Sequence, residues 1–259
     1  MLTASDLTVE RGGKVILKDV NVNLTAGTGH GLVGPNGCGK TSLIQALLGV
    51  IPSSGNIRKQ FTSGELGVVW QDRCLPLNVP VSAWIRYLTK IFSKPAPGEL
   101  FERFNIPNDS RLIRTLSGGE AQKIAIISAF FHNPKILILD EPTVGLDSDS
   151  RFEFIQLCSE RISNGSSVLV TSHNSSDISA IANRITNLGG SGRDAGTIFS
   201  TSRKLNDLEL KELAVLLDIE NIEYSNEGYL VFSQSDIFSI LAEFGQMKNF
   251  SITSYSSLK

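Results

Sequence analysis

Cysteine is scarce in this sequence of 259 residues, neither sign of charge is in excess, and no apolar run is long. Each shortage excludes something. Three cysteines, Cys38, Cys74 and Cys158, stand far apart without metal-ligand spacing, so they read as reduced thiols rather than a disulfide framework. With 24 Lys+Arg against 26 Asp+Glu the formal net charge is −2, which makes no bulk electrostatic case for nucleic acid or an anionic membrane. The opening stretch MLTASDLTVERGGK has no apolar segment of signal-peptide length. The densest apolar runs, IAIISAFF at 124–131 and KILILD at 135–140, fall far short of the roughly 20 residues that a spanning helix needs. The chain is expected not to cross a bilayer by itself, so work at a membrane would need another polypeptide to provide the passage. The composition, 41% hydrophobic and 19% charged, suits one large soluble domain, or one domain with a small appendage.

Periodicity divides the chain. LTASDLTVE and VILKDVNVNL alternate apolar and polar positions, predicting antiparallel strands around the RGG turn at 11–13. HGLVG (30–34) is a short buried strand, KTSLIQALLG (40–49) a helix closed by Gly49, and ELGVVWQ (65–71) another strand. From about 72 to 133 helical segments joined by Pro- and Asn-bearing loops form an inserted helical unit. KILILDEP is continuously apolar, as a parallel strand covered on both faces must be. A helix at about 148–163, the strand SVLVTSH (167–173), a helix near 175–183 and short strands RITNL and GTIFS complete an α/β pattern of parallel-sheet type. The expected division is 1–203 and a small α+β appendage over 204–259. The appendage reads as the helix LNDLELKELAVLL, a hairpin around 226–228, the amphipathic DIFSILAEFG and the strand KNFSITSYS.

Chemistry concentrates at strand ends. Gly34, Gly39, Lys40 and Thr41 match G-x-x-x-x-G-K-[ST] between a strand and a helix, the context that confirms a phosphate loop. The whole stretch, Gly34, Pro35, Asn36, Gly37, Cys38, Gly39, Lys40, Thr41 and Ser42, is the candidate nucleotide cradle. Lys40 is placed to reach the β- and γ-phosphates, and the Thr41 hydroxyl to ligate Mg²⁺. Asp140 and Glu141 end the apolar strand, Asp140 suited to hold Mg²⁺ through water and Glu141 to accept a proton from an attacking water. Taken alone they have a lesser alternative reading as caps of the next helix. Gln71 and His173 follow strands in the same way, Gln71 as a candidate contact to Mg²⁺ or water and His173 as a donor to the γ-phosphate. A single residue at a strand end is more often structural. LSGGEAQ at 116–122 is a second phosphate-shaped feature: Ser117 caps a helix whose Gly118 and Gly119 open backbone N–H groups, yet no lysine or metal ligand accompanies it, and by itself the stretch reads as an ordinary serine-capped helix.

GPNGCGKT, Gln71, LSGGE, ILILDEP, GLD at 145–147 and His173, in that order, resemble the nucleotide-binding domain of ABC ATPases over about residues 1–200. The resemblance implies a P-loop α/β fold with an N-terminal antiparallel β-subdomain and an inserted helical subdomain, and ATP hydrolysis with Mg²⁺. It implies a head-to-tail pair in which Ser117, Gly118 and Gly119 contact the γ-phosphate held by the partner and Asp147 lies at the seam. Three departures stand out. Glu120 replaces a common Gln, TVGLD replaces a small-residue run, and Arg11 occupies the place of an adenine-stacking aromatic, where a guanidinium can stack on a base. The same resemblance implies a subunit on the cytoplasmic face beneath a polytopic permease, with a coupling-helix groove at about 72–90 that takes in Trp84, Ile85 and Tyr87. Those three read equally as core. The C-terminal pattern resembles export ATPases, and a soluble ABC assembly factor is the rival reading.

Overall fold

A five-stranded parallel sheet organises the molecule, in the order β5-β6-β7-β3-β8. The computed structural model describes residues 1–172, 174–188, 197–201, 205–216, 223–225, 228–231, 244–248 and 252–257. Its strands are β3 (Gly29–Val33), β5 (Leu66–Val69), β6 (Ile136–Leu139), β7 (Ser167–Thr171) and β8 (Arg184–Asn187). Every residue of β6 and β7 is buried, which explains their unbroken apolar sequence. Strand alternation then divides those side chains between two cores. Ile136, Ile138 and Leu169 join Leu43, Ile44 and Leu47 on one face, whereas Leu137, Leu139, Val168 and Val170 join Ile126, Phe130 and Phe154 on the other.

The first face carries α1 (Lys40–Leu48) and an antiparallel sheet in the order β2-β1-β4, from β1 (Leu2–Arg11), β2 (Lys14–Leu24) and β4 (Ser54–Lys59). The predicted hairpin forms, with Gly12 and Gly13 at positive φ between paired Arg11 and Lys14. β4 had no clear signal because most of its residues are exposed, which leaves little apolar alternation to read. The second face carries the inserted helices α2 (Val81–Phe92), α3 (Gly98–Arg103) and α4 (Gly118–Phe130), with α5 (Ser148–Ser163) and α6 (Ser175–Ile181). Arg103 of α3 donates to Glu153 at 2.9 Å and to both oxygens of Glu160 at 2.7 and 3.0 Å, tying the insertion to α5.

The C-terminal region corrects one expectation. The strand GTIFS, expected to complete the parallel pattern, is β9 (Thr197–Thr201) and lies inside an antiparallel sheet ordered β10-β11-β9-β12. β10 (Glu223–Ser225) and β11 (Gly228–Val231) are the expected hairpin, α7 (Asp207–Leu216) the expected helix and β12 (Ile252–Ser257) the expected last strand. The amphipathic DIFSILAEFG falls largely outside the described residues.

Candidate functional site

The bend between β3 and α1 is the phosphate loop. Its Gly39, at φ 104°, caps α1 in the left-handed region, and a Cβ there would lie 2.9 Å from Leu17 Cδ2 and 3.0 Å from Ile16 Cγ2. Glycine therefore lets β2 close one side of the loop. Pro35, Asn36 and Gly37 form the exposed tip, Cys38 and Thr41 are half-buried, and Ser42 is buried beneath. Lys40 is also buried, and its ammonium donates to the carbonyls of Gly34 at 2.8 Å and Pro35 at 3.3 Å. A cation inside the curl of the loop, at the positive end of α1, is an anion cradle.

Behind the loop, the Thr41 hydroxyl donates to Asp140 Oδ2 at 2.7 Å and the Thr171 hydroxyl donates to Oδ1 at 2.8 Å. Asp140 is only 1% exposed, so two threonines satisfy both oxygens where bulk water does not reach. Thr171 also accepts from the Glu141 backbone N–H at 2.8 Å and helps hold that residue at φ 51°, a conformation uncommon outside glycine. The Thr41 proton is committed to Asp140, which leaves the lone pairs of Oγ1 for a cation. One hydroxyl and one carboxylate, completed by phosphate and water, are donors that fit Mg²⁺.

The LSGGE segment presents a different surface. Ser117 and Gly118 are exposed and Gly119 half-buried. Ser117 Oγ accepts from the Glu120 backbone N–H at 3.2 Å, while Glu120 accepts from the Ser117 N–H at 2.9 Å, forming a reciprocal capping box. Arg111 donates to the second Glu120 oxygen at 2.7 Å. The Ser117 backbone N–H, followed by Arg111, holds the Glu120 carboxyl below its ordinary range. Glycine is needed at 119 because a Cβ would lie 2.7 Å from the Gly145 carbonyl, so α4 packs directly on the loop that carries Asp147. Asp147 accepts from the Ser150 N–H at 2.8 Å as the cap of α5 and pairs with Lys123 at 2.9 Å. The Ser150 N–H, then Lys123, drives its carboxyl far down.

Residues that sequence reasoning passed over complete these loops. Arg73 Nε donates to Gln122 Oε1 at 2.9 Å, and Gln122 Nε2 donates to the Pro142 carbonyl at 2.8 Å. Buried Asp177 accepts from Thr143 at 2.7 Å, Arg151 at 2.6 Å and Ser172 at 3.1 Å, joining α6 to the segment after Glu141. Thr171 could have been found by the strand-end rule that selected His173; Arg73, Gln122, Lys123 and Asp177 carry no local signal.

Of the expected site residues, the phosphate loop, Thr41, Asp140 and Glu141 meet at one sheet edge. Asp147 and the signature residues meet where α4 packs on the loop that leads to α5. Gln71 is exposed in the turn that follows β5, the neighbour of β6, and Arg11 is exposed at the hairpin beyond Ile16. Among the described residues, neither side chain is hydrogen-bonded to the Asp140 cluster. His173 lies outside the described residues. In the suggested groove, Ile85 is buried core and Trp84 packs against that core while donating to Ser128 at 2.9 Å; Tyr87 is 52% exposed. Core therefore claims Ile85 because it falls on the face of α2 that meets the other helices of the insertion.

A family model described as ABC transporter matches residues 17–144. The zinc import ATP-binding protein ZnuC of Cereibacter sphaeroides is 33% identical over 190 residues, 71% of this chain and 77% of that protein. The Nod factor export ATP-binding protein I of Azorhizobium caulinodans is 31% identical over 201 residues, 71% of this chain and 63% of that protein. The linearmycin resistance ATP-binding protein LnrL of Bacillus subtilis is 30% identical over 202 residues, 71% of this chain and 65% of its own length. Among solved structures, an ATP-binding subunit of an ABC transporter superposes with a TM-score of 0.67 at 21% identity, covering 72% of this chain and 85% of the other. A dimeric bacterial ABC transporter cassette superposes with a TM-score of 0.62 at 22% identity, covering 73% and 94%. The fold is therefore that of the P-loop cassettes, and the chain belongs to the ABC transporter family as one of its ATP-binding ATPase subunits.

Proposed function

We propose that two such domains pair head to tail around two ATP molecules and that their closing and opening powers a separate polytopic permease. One observation carries the reading. Among the described residues the cradle with Asp140 and Glu141 and the exposed Ser117–Gly119 turn share no hydrogen bond, and each holds what the other lacks. Lys40 and the α1 N-terminus hold the β- and γ-phosphates of the chain's own ATP, with Arg11 against the base. Thr41 and Asp140, joined by Gln71, would hold Mg²⁺, which when bound offsets phosphate charge. Glu141 takes the proton of the attacking water, and His173 donates to the γ-phosphate. The partner brings its own copies of Ser117, Gly118 and Gly119 to that phosphate, and Asp147 lies at the seam. A phosphate bridging two surfaces favours the closed pair, and its loss releases it.

Permease docking is supported by exposed apolar side chains on and before α2, namely Leu77, Tyr87 and Ile91. The chain then works as a peripheral subunit on the cytoplasmic face; among the described residues no helix is long and apolar enough to cross a membrane. Relatives named for import and for export align at similar identity, and export is the direction that the sequence pattern of the C-terminal region suggests.

The test is Glu141→Gln, expected to abolish turnover while Mg-free ATP holds a dimer in sedimentation; a chain that stays single overturns the pairing. Ser117→Arg is expected to stop hydrolysis with monomer ATP affinity unchanged, and equal loss of affinity would place the signature in the chain's own pocket. Recovery of a multi-span protein with the tagged chain from detergent-solubilised membranes supports the transporter, and recovery of none supports a soluble assembly factor.

A further inference from the structure

Arg73 stands two residues past Gln71 at φ 64°, and its side chain reaches the start of α4. Its Nε is committed to Gln122 Oε1 at 2.9 Å, while Nη2 lies 3.7 Å from where a Cβ at Gly118 would stand and 3.9 Å from one at Gly145. The guanidinium thus sits against both the signature turn and the loop leading to Asp147. Gln122 is 2% exposed, and its other end donates to the Pro142 carbonyl at 2.8 Å, one residue after Glu141. An amide is planar and has one acceptor end and one donor end, so fixing the first with Arg73 fixes where the second must find its carbonyl. Burial makes either end costly to leave unmade.

We propose that Arg73 is a positioning residue that makes a single rigid unit of the two half-sites each chain lends to different nucleotides. The inference rests on the paired reading above and adds a residue to it. Signature and acid serve opposite ATP molecules, so a displacement at one site is passed to the other through Arg73, Gln122 and the Pro142 carbonyl. The turn bearing Gln71 enters the same path at Arg73. Coupling of this kind is a free energy between sites and is read as cooperativity in ATP concentration.

The experiment uses the full chain with Arg73→Ala, Arg73→Lys and Gln122→Glu. Hydrolysis is followed against ATP concentration, monomer affinity by Mg-free ATP titration, and folding by thermal melting. Gln122→Glu keeps the acceptor for Arg73 but places an acceptor against the Pro142 carbonyl, so it severs only the second arm. Arg73→Ala and Gln122→Glu are each expected to lower the Hill coefficient from near 2 towards 1 and kcat about tenfold, with monomer affinity within about twofold of the parent. Arg73→Lys, which keeps a donor for Gln122, is expected to recover most of the cooperativity. A parental Hill coefficient and kcat in Arg73→Ala overturns the proposal, as does a loss of monomer affinity that matches the loss of rate. Failure of the pairing itself shows separately, as a Glu141→Gln chain that stays single with ATP and a parent without cooperativity.

Discussion

Glu120 shows what one departure from a common motif does. The family often has Gln here, and the carboxylate keeps the backbone half of the capping box while adding an ion pair to Arg111. Asp147 performs the matching task at the start of α5. Both carboxyls are held below their ordinary values, chiefly by backbone N–H groups. A group with a depressed folded-state pKa adds stability above its unfolded value, and that contribution is lost as pH falls through the folded one. Exchange of the Ser117 and Ser150 amides, which donate to these two carboxylates, corrected for intrinsic rates, is therefore expected to stay constant from neutrality to about pH 4 and to accelerate below it. Glu120→Gln retains the cap and loses the exposed ion pair, so it should cost less than about 1 kcal/mol in urea unfolding.

Helix α4 opens on two adjacent glycines, of which the packing requires only the second. At Gly119 a Cβ would meet the Gly145 carbonyl at 2.7 Å, whereas at Gly118 the nearest atom is the far end of Arg73 at 3.7 Å. Gly119→Ala should destabilise the single chain by about 1–3 kcal/mol, because backbone must move. Gly118→Ala should change it by no more than about 0.5–1 kcal/mol, with the sign set by helix propensity. Chemical denaturation of both variants checks the contrast, and equal costs would refute the close packing of α4 on that loop.

The same element shows where sequence reading succeeds and where it stops. α1, β6 and α5 were legible because their signals are local: Gly39 and Gly49 bound one helix, and four consecutive buried positions mark the strand. Ser117 as a cap was equally local. The partners of those residues were not. Arg73, Gln122 and Pro142 are brought together only by the packing of the insertion on the sheet, and nothing at any one of them names the other two. Ile85 and Tyr87 occupy neighbouring sequence but opposite environments, which α2 decides by its rotation rather than by composition.

Over the whole molecule, the insertion is fastened to α5 away from the phosphate loop. Arg103 reaches two carboxylates of α5, Glu153 and Glu160, and these neighbours push its already high pKa further up. Its side chain is mostly covered, so the bidentate contact is more than a surface ion pair. Arg103→Ala is expected to cost about 1–3 kcal/mol and to leave Mg-free ATP binding unchanged, since the cradle lies at the other end of the strands. Loss of nucleotide binding alongside stability would show that the insertion supports the cradle directly.

The place of β9 bears on how the protein can be divided. Thr197–Thr201 pairs with β11 on one side and β12 on the other, so the middle of the C-terminal sheet is encoded before the elements that flank it. A truncation after residue 203 would strip both neighbours from this strand and bare two rows of backbone donors and acceptors, an invitation to self-association. Cutting before Thr197 removes the sheet as a whole, and that is where a minimal cassette should end.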